Sequence, residues 1–133
     1  FRLGMAAEGL NLPDGYIIAV QDNEFAGADA LSSLLALSPR PTAVCCISDE
    51  NAIPLVHALR SYGFRVPEDI SVIDWPMAQA LNISTVRHDP RSYGALAADA
   101  AIRLSRGEIL TESCIVVPTT LMLRGTTGPA PRD

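Results

Sequence analysis

The feature that most narrows the fold is a repeated order along the chain: a short apolar run, a polar end, a helical stripe, then another short apolar run. Thr42 to Ile47 is such a run, the pattern of a strand buried on both faces. Ser48 and Asp49 follow and offer an N-cap. Ile53, Val56 and Leu59 then recur at helical spacing to about Tyr62, where Gly63 stops the helix. Pro67 and Glu68 lead into a second buried strand, Ile70 to Ile73. Strand, helix and strand in this order predict a parallel pair joined by a right-handed crossover.

The flanks extend the pattern. Residues 2–10 read as a helix closed by Gly9, and Pro13-Asp14-Gly15 as a turn. Tyr16 to Val20 is a β-branched apolar run and is expected to be a strand. Residues 26–37 carry Ala28, Leu31, Leu34, Leu35 and Leu37 as a helical stripe that Pro39-Arg40-Pro41 ends. Residues 76–83 read as irregular, Ser84 to Arg87 as a short extended segment, and 91–105 as an alanine-rich helix closed by Gly107. Ile115–Val117 and Thr119–Leu123 are two more extended pieces, and the Gly/Pro/Thr tail from Gly125 is expected to fray. The expected class is α/β: a three-layer open parallel sheet with helices on both faces.

Composition removes several functions. With 133 residues, 48% of them hydrophobic, the chain can bury one core. The net charge is −5, and the ten basic residues, all arginine, are scattered rather than clustered. A duplex-binding face needs clustered cations, so this stretch is not expected to bind DNA by itself. The lack of lysine excludes Schiff-base and P-loop lysines. Neighbouring Cys45 and Cys46 point to opposite faces of a strand and cannot readily bridge. They and Cys114 read as free buried thiols in a reducing compartment. No metal-ligand spacing is present, no cofactor is implied, and no apolar run is long enough to cross a membrane. There is no G-x-S-x-G, P-loop, H-E-x-x-H or G-x-G-x-x-G, so no enzyme is expected. The chain opens on Phe1, within a helix whose start is missing, and so reads as a piece of a longer one.

In open α/β sheets ligands bind outside the carboxyl ends of the strands. Here those ends are Asp22-Asn23, Ser48-Asp49, Asp74-Trp75 and His88-Asp89. Carboxylates with one aromatic face are how proteins hold hydroxyl-rich small molecules. Asp22, Asn23, Ser48, Asp49, Asp74, Trp75 and His88 are therefore the candidate effector-binding residues. Each has a plainer reading beside it: Asp22 as solvated loop, Asp49 as a helix-start charge, Asp74 as a partner of Arg87, Trp75 as packing and His88 as loop. His57, in mid-helix, reads as a surface or dimer-contact residue.

Several of these residues also carry a pattern. Pro41-Thr42-Ala43-Val44 followed by Ser48-Asp49-Glu50-Asn51-Ala52 resembles the P-T-A-[IV] and N-D-x-x-A of LacI/GalR-type bacterial transcription regulators. Ala58 to Ile73, with Val66-Pro67-Glu68-Asp69-Ile70-Ser71-Val72 at its heart, resembles their A-L-x-x-x-G-x-x-V-P-x-D-[IV]-S-V-[IV]. Ser84-Thr85-Val86-Arg87, Tyr93-Gly94 and Leu123-Arg124-Gly125-Thr126-Thr127 resemble later stretches in the same order, so the likeness covers nearly the whole chain. It implies the C-terminal part of a periplasmic-binding-protein-like type I effector domain.

Under that resemblance, residues 1–89 are the C-terminal effector-binding subdomain. Residues 90–107 are a helix that in the family returns to the N-terminal subdomain, and here it must repack, swap or lie exposed. Residues 108–124 are strands returning to the C-terminal subdomain, and 125–133 a flexible tail. The resemblance implies a cytoplasmic protein with a small-molecule effector, a sugar above all. It implies a homodimer through Ile53, Val56 and His57, and operator DNA bound only through an N-terminal domain absent from this stretch. The same-fold alternative is a periplasmic sugar-binding protein. The chain also departs from the pattern. The usual G-[FY]-D-D after the third strand is Asp74-Trp75-Pro76-Met77, which puts proline in the place of the ligand carboxylate. Ser48 replaces the family's asparagine and His88 its glutamine. Asp74 is expected to supply the lost carboxylate from a neighbouring position.

Overall fold

The computed structural model describes residues 1–21, 23, 25–75, 82–112 and 114–131. A four-stranded open sheet is formed by β1 (Ala43–Cys45), β2 (Ser71–Asp74), β3 (Ser84–Arg87) and β4 (Thr120–Met122), in that spatial order. The first three strands are parallel, as the crossover pattern predicts. The fourth runs antiparallel to β3, pairing Thr85 with Met122 and Arg87 with Thr120, so the sheet is mixed rather than all-parallel. The reversal follows from the order of elements, because the chain comes back to β3's edge after a helix that never crosses the sheet.

Among the described residues four helices accompany the strands: α1 (Arg2–Ala7), α2 (Ala26–Leu35), α3 (Asp49–Ser61) and α4 (Pro90–Ser105). The helical stripes do what their spacing predicts. Leu31 and Leu34 of α2 meet Ala52, Leu55, Val56 and Leu59 of α3 over Val72 of β2, and Val66, Ile70 and Ile83 close the cluster. Each fully buried aliphatic side chain of this kind stabilises the fold by about 1.5–3 kcal/mol. The helices approach so closely that a Cβ built on Gly27 would lie 2.5 Å from the carbonyl carbon and oxygen of Pro54. Gly63, at φ +100°, ends α3 as expected, and the Phe64 amide reaches back to the Leu59 carbonyl.

The specific run after α3 is a structural lock. Asp69 accepts hydrogen bonds from the Arg65 amide and from its guanidinium. These bonds hold the Asp69 carboxyl down at about 2. Arg40 lies over the Phe64 ring at 4.8 Å, tying the segment before β1 to the exit of α3.

Several expectations are corrected. Tyr16–Val20 is not a strand. It is fastened by the Tyr16 hydroxyl, which donates to the Pro39 carbonyl, and by Ile18, which packs against the core. β1 is thereby an edge strand, and Ala43 and Cys45 are exposed rather than buried on both faces. Helices on both faces are not found among the described residues. The helical layer is α2 and α3, whereas α4 buries no residue and packs against no other helix or strand. Tyr93, Ile102 and Leu104 on this helix stand at least half exposed. Of the described residues in 108–124, only Thr120–Met122 joins the sheet, and 115–117 forms no strand. The expected loop at 76–83 lies mostly outside the described residues.

The start of the tail is not frayed. Thr126 is 3% exposed and completes a ladder that β3 leaves open. β3 begins opposite Ile73, so Val72 has no neighbour on that strand. Thr126 takes the place. Its carbonyl accepts from the Val72 amide, and its hydroxyl donates to the Val72 carbonyl while accepting from the Ser84 amide at 2.9 Å. Thr127 and Arg124 bind the Ser84 hydroxyl from either side.

Two substitutions probe this framework. Gly27→Ala gains helix propensity of about 1 kcal/mol but forces α2 off α3, and urea unfolding should register a net loss of about 1–3 kcal/mol. Thr126→Val keeps shape but strands a buried carbonyl and a buried amide. Its unfolding free energy should fall by about 2 kcal/mol or more, and Thr126→Ser should restore most of it.

Candidate functional site

The carboxyl ends of β1, β2 and β3 gather five of the expected residues. Strand alternation divides them between two faces. Val72 and Asp74 point to the α3 side, and Asp74 is 2% exposed. Trp75, the next residue, points the other way. It stacks on His88 with ring centroids 5.7 Å apart and planes inclined by 23°. Trp75 and His88, with Tyr93, Ile115, Val117 and Thr119, line a cavity of about 450 Å³. Nδ1 of His88 is buried without a hydrogen-bond partner among the described residues.

On the other face, Asp74 meets the start of α3. Ser48 is the N-cap residue in extended conformation, and its hydroxyl contacts Asn51 rather than capping the helix. Asp49 is the first helical residue. Oδ1 of Asp74 is buried without a donor among the described residues. Burial pushes the Asp74 carboxyl up. The Thr85 hydroxyl opposes the rise, the Asp49 carboxyl adds to it, and the charge of Arg124 opposes it. The expected Asp74–Arg87 pair is absent. Arg87 is exposed at the far end of β3, and the cation that acts on Asp74 is Arg124, whose guanidinium donates to the Ile83 carbonyl at 2.7 Å.

The remaining candidates separate. Asn23 is exposed, and its side chain accepts from the Phe25 amide at 2.9 Å, shaping the entry to α2. Asp22 lies outside the described residues. Asp89 caps α4, accepting from the Arg91 amide and the Ser92 hydroxyl. On α3, Val56 is 5% exposed and faces α2, so it belongs to the core and offers nothing to a partner. The helical period puts it four residues after buried Ala52 and three before buried Leu59, on the same inward face. Ile53 is half-buried against the core, and His57 is exposed.

Sequence reasoning missed Arg124 and Thr85 as neighbours of the acidic pair. Arg124 stood only in a motif match, and a strand register that brings Thr85 opposite Asp74 is not written in either residue. The cysteines are free, but only Cys46 is buried; Cys45 lies on the edge strand, and Cys114 is exposed. Burial pushes the Cys46 thiol up to about 12 and raises that of Cys45 less.

Polar strand ends and an aromatic pair at the carboxyl edge of a parallel array define an open α/β domain of the kind that binds small molecules there. A profile described as periplasmic binding protein-like domain matches residues 1–127. The ribose operon repressor of Escherichia coli K12 is 34% identical over 131 residues, covering 94% of this chain and 39% of the repressor. A probable transcriptional repressor of Bacillus subtilis, ExuR, is 36% identical over 115 residues, 82% of this chain and 34% of its own. Among solved structures, a LacI family transcriptional regulator from Bifidobacterium animalis superposes with a TM-score of 0.80 at 28% identity, over 96% of this chain and 48% of the other. The chain belongs to the periplasmic binding protein-like domain family, in its LacI/GalR regulator branch. It spans well under half the length of the curated relatives named here.

Thiol alkylation at mildly alkaline pH, read peptide by peptide by mass spectrometry, should modify Cys114 first and Cys45 more slowly. Cys46 should react only after unfolding. Early modification of Cys46 would contradict its burial.

Proposed function

We propose that this chain is the effector-sensing part of a LacI-type transcription regulator and that its effector is a sugar or a similar neutral, hydroxyl-rich molecule. The observation that carries the reading is the Trp75–His88 stack beside a cavity of about 450 Å³. An aromatic face takes the apolar face of a sugar ring, and the polar groups beside it take its hydroxyls. Ser48 and Asp49 supply further polar groups at the rim. Asp74 contributes through Asp49 rather than by direct contact, since its carboxyl is turned away from the aromatic pair. Asp22 and Asn23 stay at the margin of the proposed site.

In the full-length regulator, operator DNA is bound by a separate domain, in keeping with the scattered arginines and net negative charge here. The proposed protein is a cytoplasmic homodimer, with Ile53 and His57 on the outer side of α3 as the isologous patch. Among the described residues no helix is long and apolar enough to cross a membrane.

Trp75 is the sole tryptophan, so its fluorescence reports directly on the site. Titrating the protein with a panel of neutral pentoses, hexoses and disaccharides should give a saturable change with at least one of them. His88→Ala should weaken that binding by about tenfold or more, while calorimetry on Trp75→Ala should show a comparable loss. Unchanged affinity in both variants would place the effector elsewhere.

A further inference from the structure

We propose that Arg124 and Gly125, which do not line the effector cavity, are positioning residues for it: with Asn82 they form a strap that sets the Trp75–His88 pair. The role of the pair rests on the effector reading above, whereas the strap itself is tested without any sugar.

The pair is built from the ends of two strands. Trp75 follows the last residue of β2, and His88 follows the last residue of β3. Their stacking at 5.7 Å therefore depends on how β3 is held beside β2. The two strands share a register of only two pairs among the described residues, Ile73 with Ser84 and Asp74 with Thr85. A ladder that short leaves the placement of β3 to whatever grips its start.

The chain just after β4 grips it at three consecutive residues. The Arg124 guanidinium donates to the Ile83 carbonyl at 2.7 Å, and the Arg124 amide donates to the Ser84 hydroxyl at 2.8 Å. The Gly125 amide donates to the Asn82 side-chain oxygen at 3.4 Å. A hydrogen bond from a charged donor is roughly twice as strong as a neutral one, so Arg124 is the principal hold. Ile83 is buried, and a carbonyl there that loses its donor is costly. The extended backbone of β3 carries this placement from Ser84 along the strand to His88.

Gly125 separates positioning from general stability. A Cβ built on it would lie 2.3 Å from Asn82 Nδ2 and 3.2 Å from Asn82 Cγ. Asn82 is exposed, so its amide has room to swing into solvent. Gly125→Ala should thus unhook Asn82 and leave the buried bonds of Thr126 in place. Arg124→Met keeps an unbranched apolar stem and removes the guanidinium donors. Arg124→Lys retains a charged donor for the Ile83 carbonyl.

The experiment is proton NMR of the 133-residue chain, with acrylamide quenching of its sole tryptophan beside it. The indole face shifts the ring protons of stacked His88 upfield, and His57, the only other histidine, serves as the reference. In Arg124→Met and Gly125→Ala the His88 protons should move back toward the positions of a free imidazole, and Trp75 should be quenched more readily. Arg124→Lys should restore both signals. Gly27→Ala, a destabilising change on the other side of the sheet, should leave both unmoved. If Arg124→Met does not fold, Gly125→Ala carries the comparison. Signals unchanged in the strap variants, or moved equally by Gly27→Ala, overturn the proposal. Sugars that all fail to bind the unaltered protein sink the effector reading and not the strap; unmoved rings sink the strap and not the effector reading.

Discussion

The hydroxyl of Thr126 closes a gap that the strands alone leave open, and the rest of the sheet is arranged around that closure. β2 starts two residues before β3 pairs with it. Without a substitute, Val72 would be buried with an unpaired amide and carbonyl, at a cost comparable to the whole contribution of a core side chain. Thr126 answers both groups and also the Ser84 amide. A residue far along the chain thus sets the register of β2 against β3. That register puts Thr85 opposite Asp74 and carries Trp75 and His88 onto one face.

Much of this was legible in the sequence, and the limits are physical. Gly9, Gly63 and Gly107 mark helix ends because a positive φ suits glycine, and all three adopt one. The stripe Ile53, Val56, Leu59 identified α3, yet could not say which of its members faces α2 and which faces outward; Val56 turned inward. Strand identity was less secure than helix identity. A β-branched run such as Tyr16–Val20 records a preference for extended backbone, whereas a strand also needs a partner with free ladder groups. The tail misled because composition speaks only of local freedom, and Thr126 is held by long-range bonds to Val72 and Ser84.

The candidate site divides in the same way. That the strand ends would carry the polar groups follows from topology alone. Which groups share a face does not, because alternation reverses at each residue and depends on a register set elsewhere. Asp74 and Trp75 are neighbours in sequence and look in opposite directions, one toward the helix start and one toward the aromatic stack. A substitution at either would therefore disturb a different layer of the molecule.

The edge strand β1 has a consequence of its own. A three-residue strand with Ala43 and Cys45 outward leaves backbone groups available to another extended chain. Such edges are templates for unwanted β-pairing unless they are short or interrupted. This one is both. Pro41 enters just before it without an amide to offer, and Ser48 and α3 follow shortly after it. Lengthening β1, or replacing Pro41 with a β-branched residue, would turn a quiet boundary into a seed for aggregation.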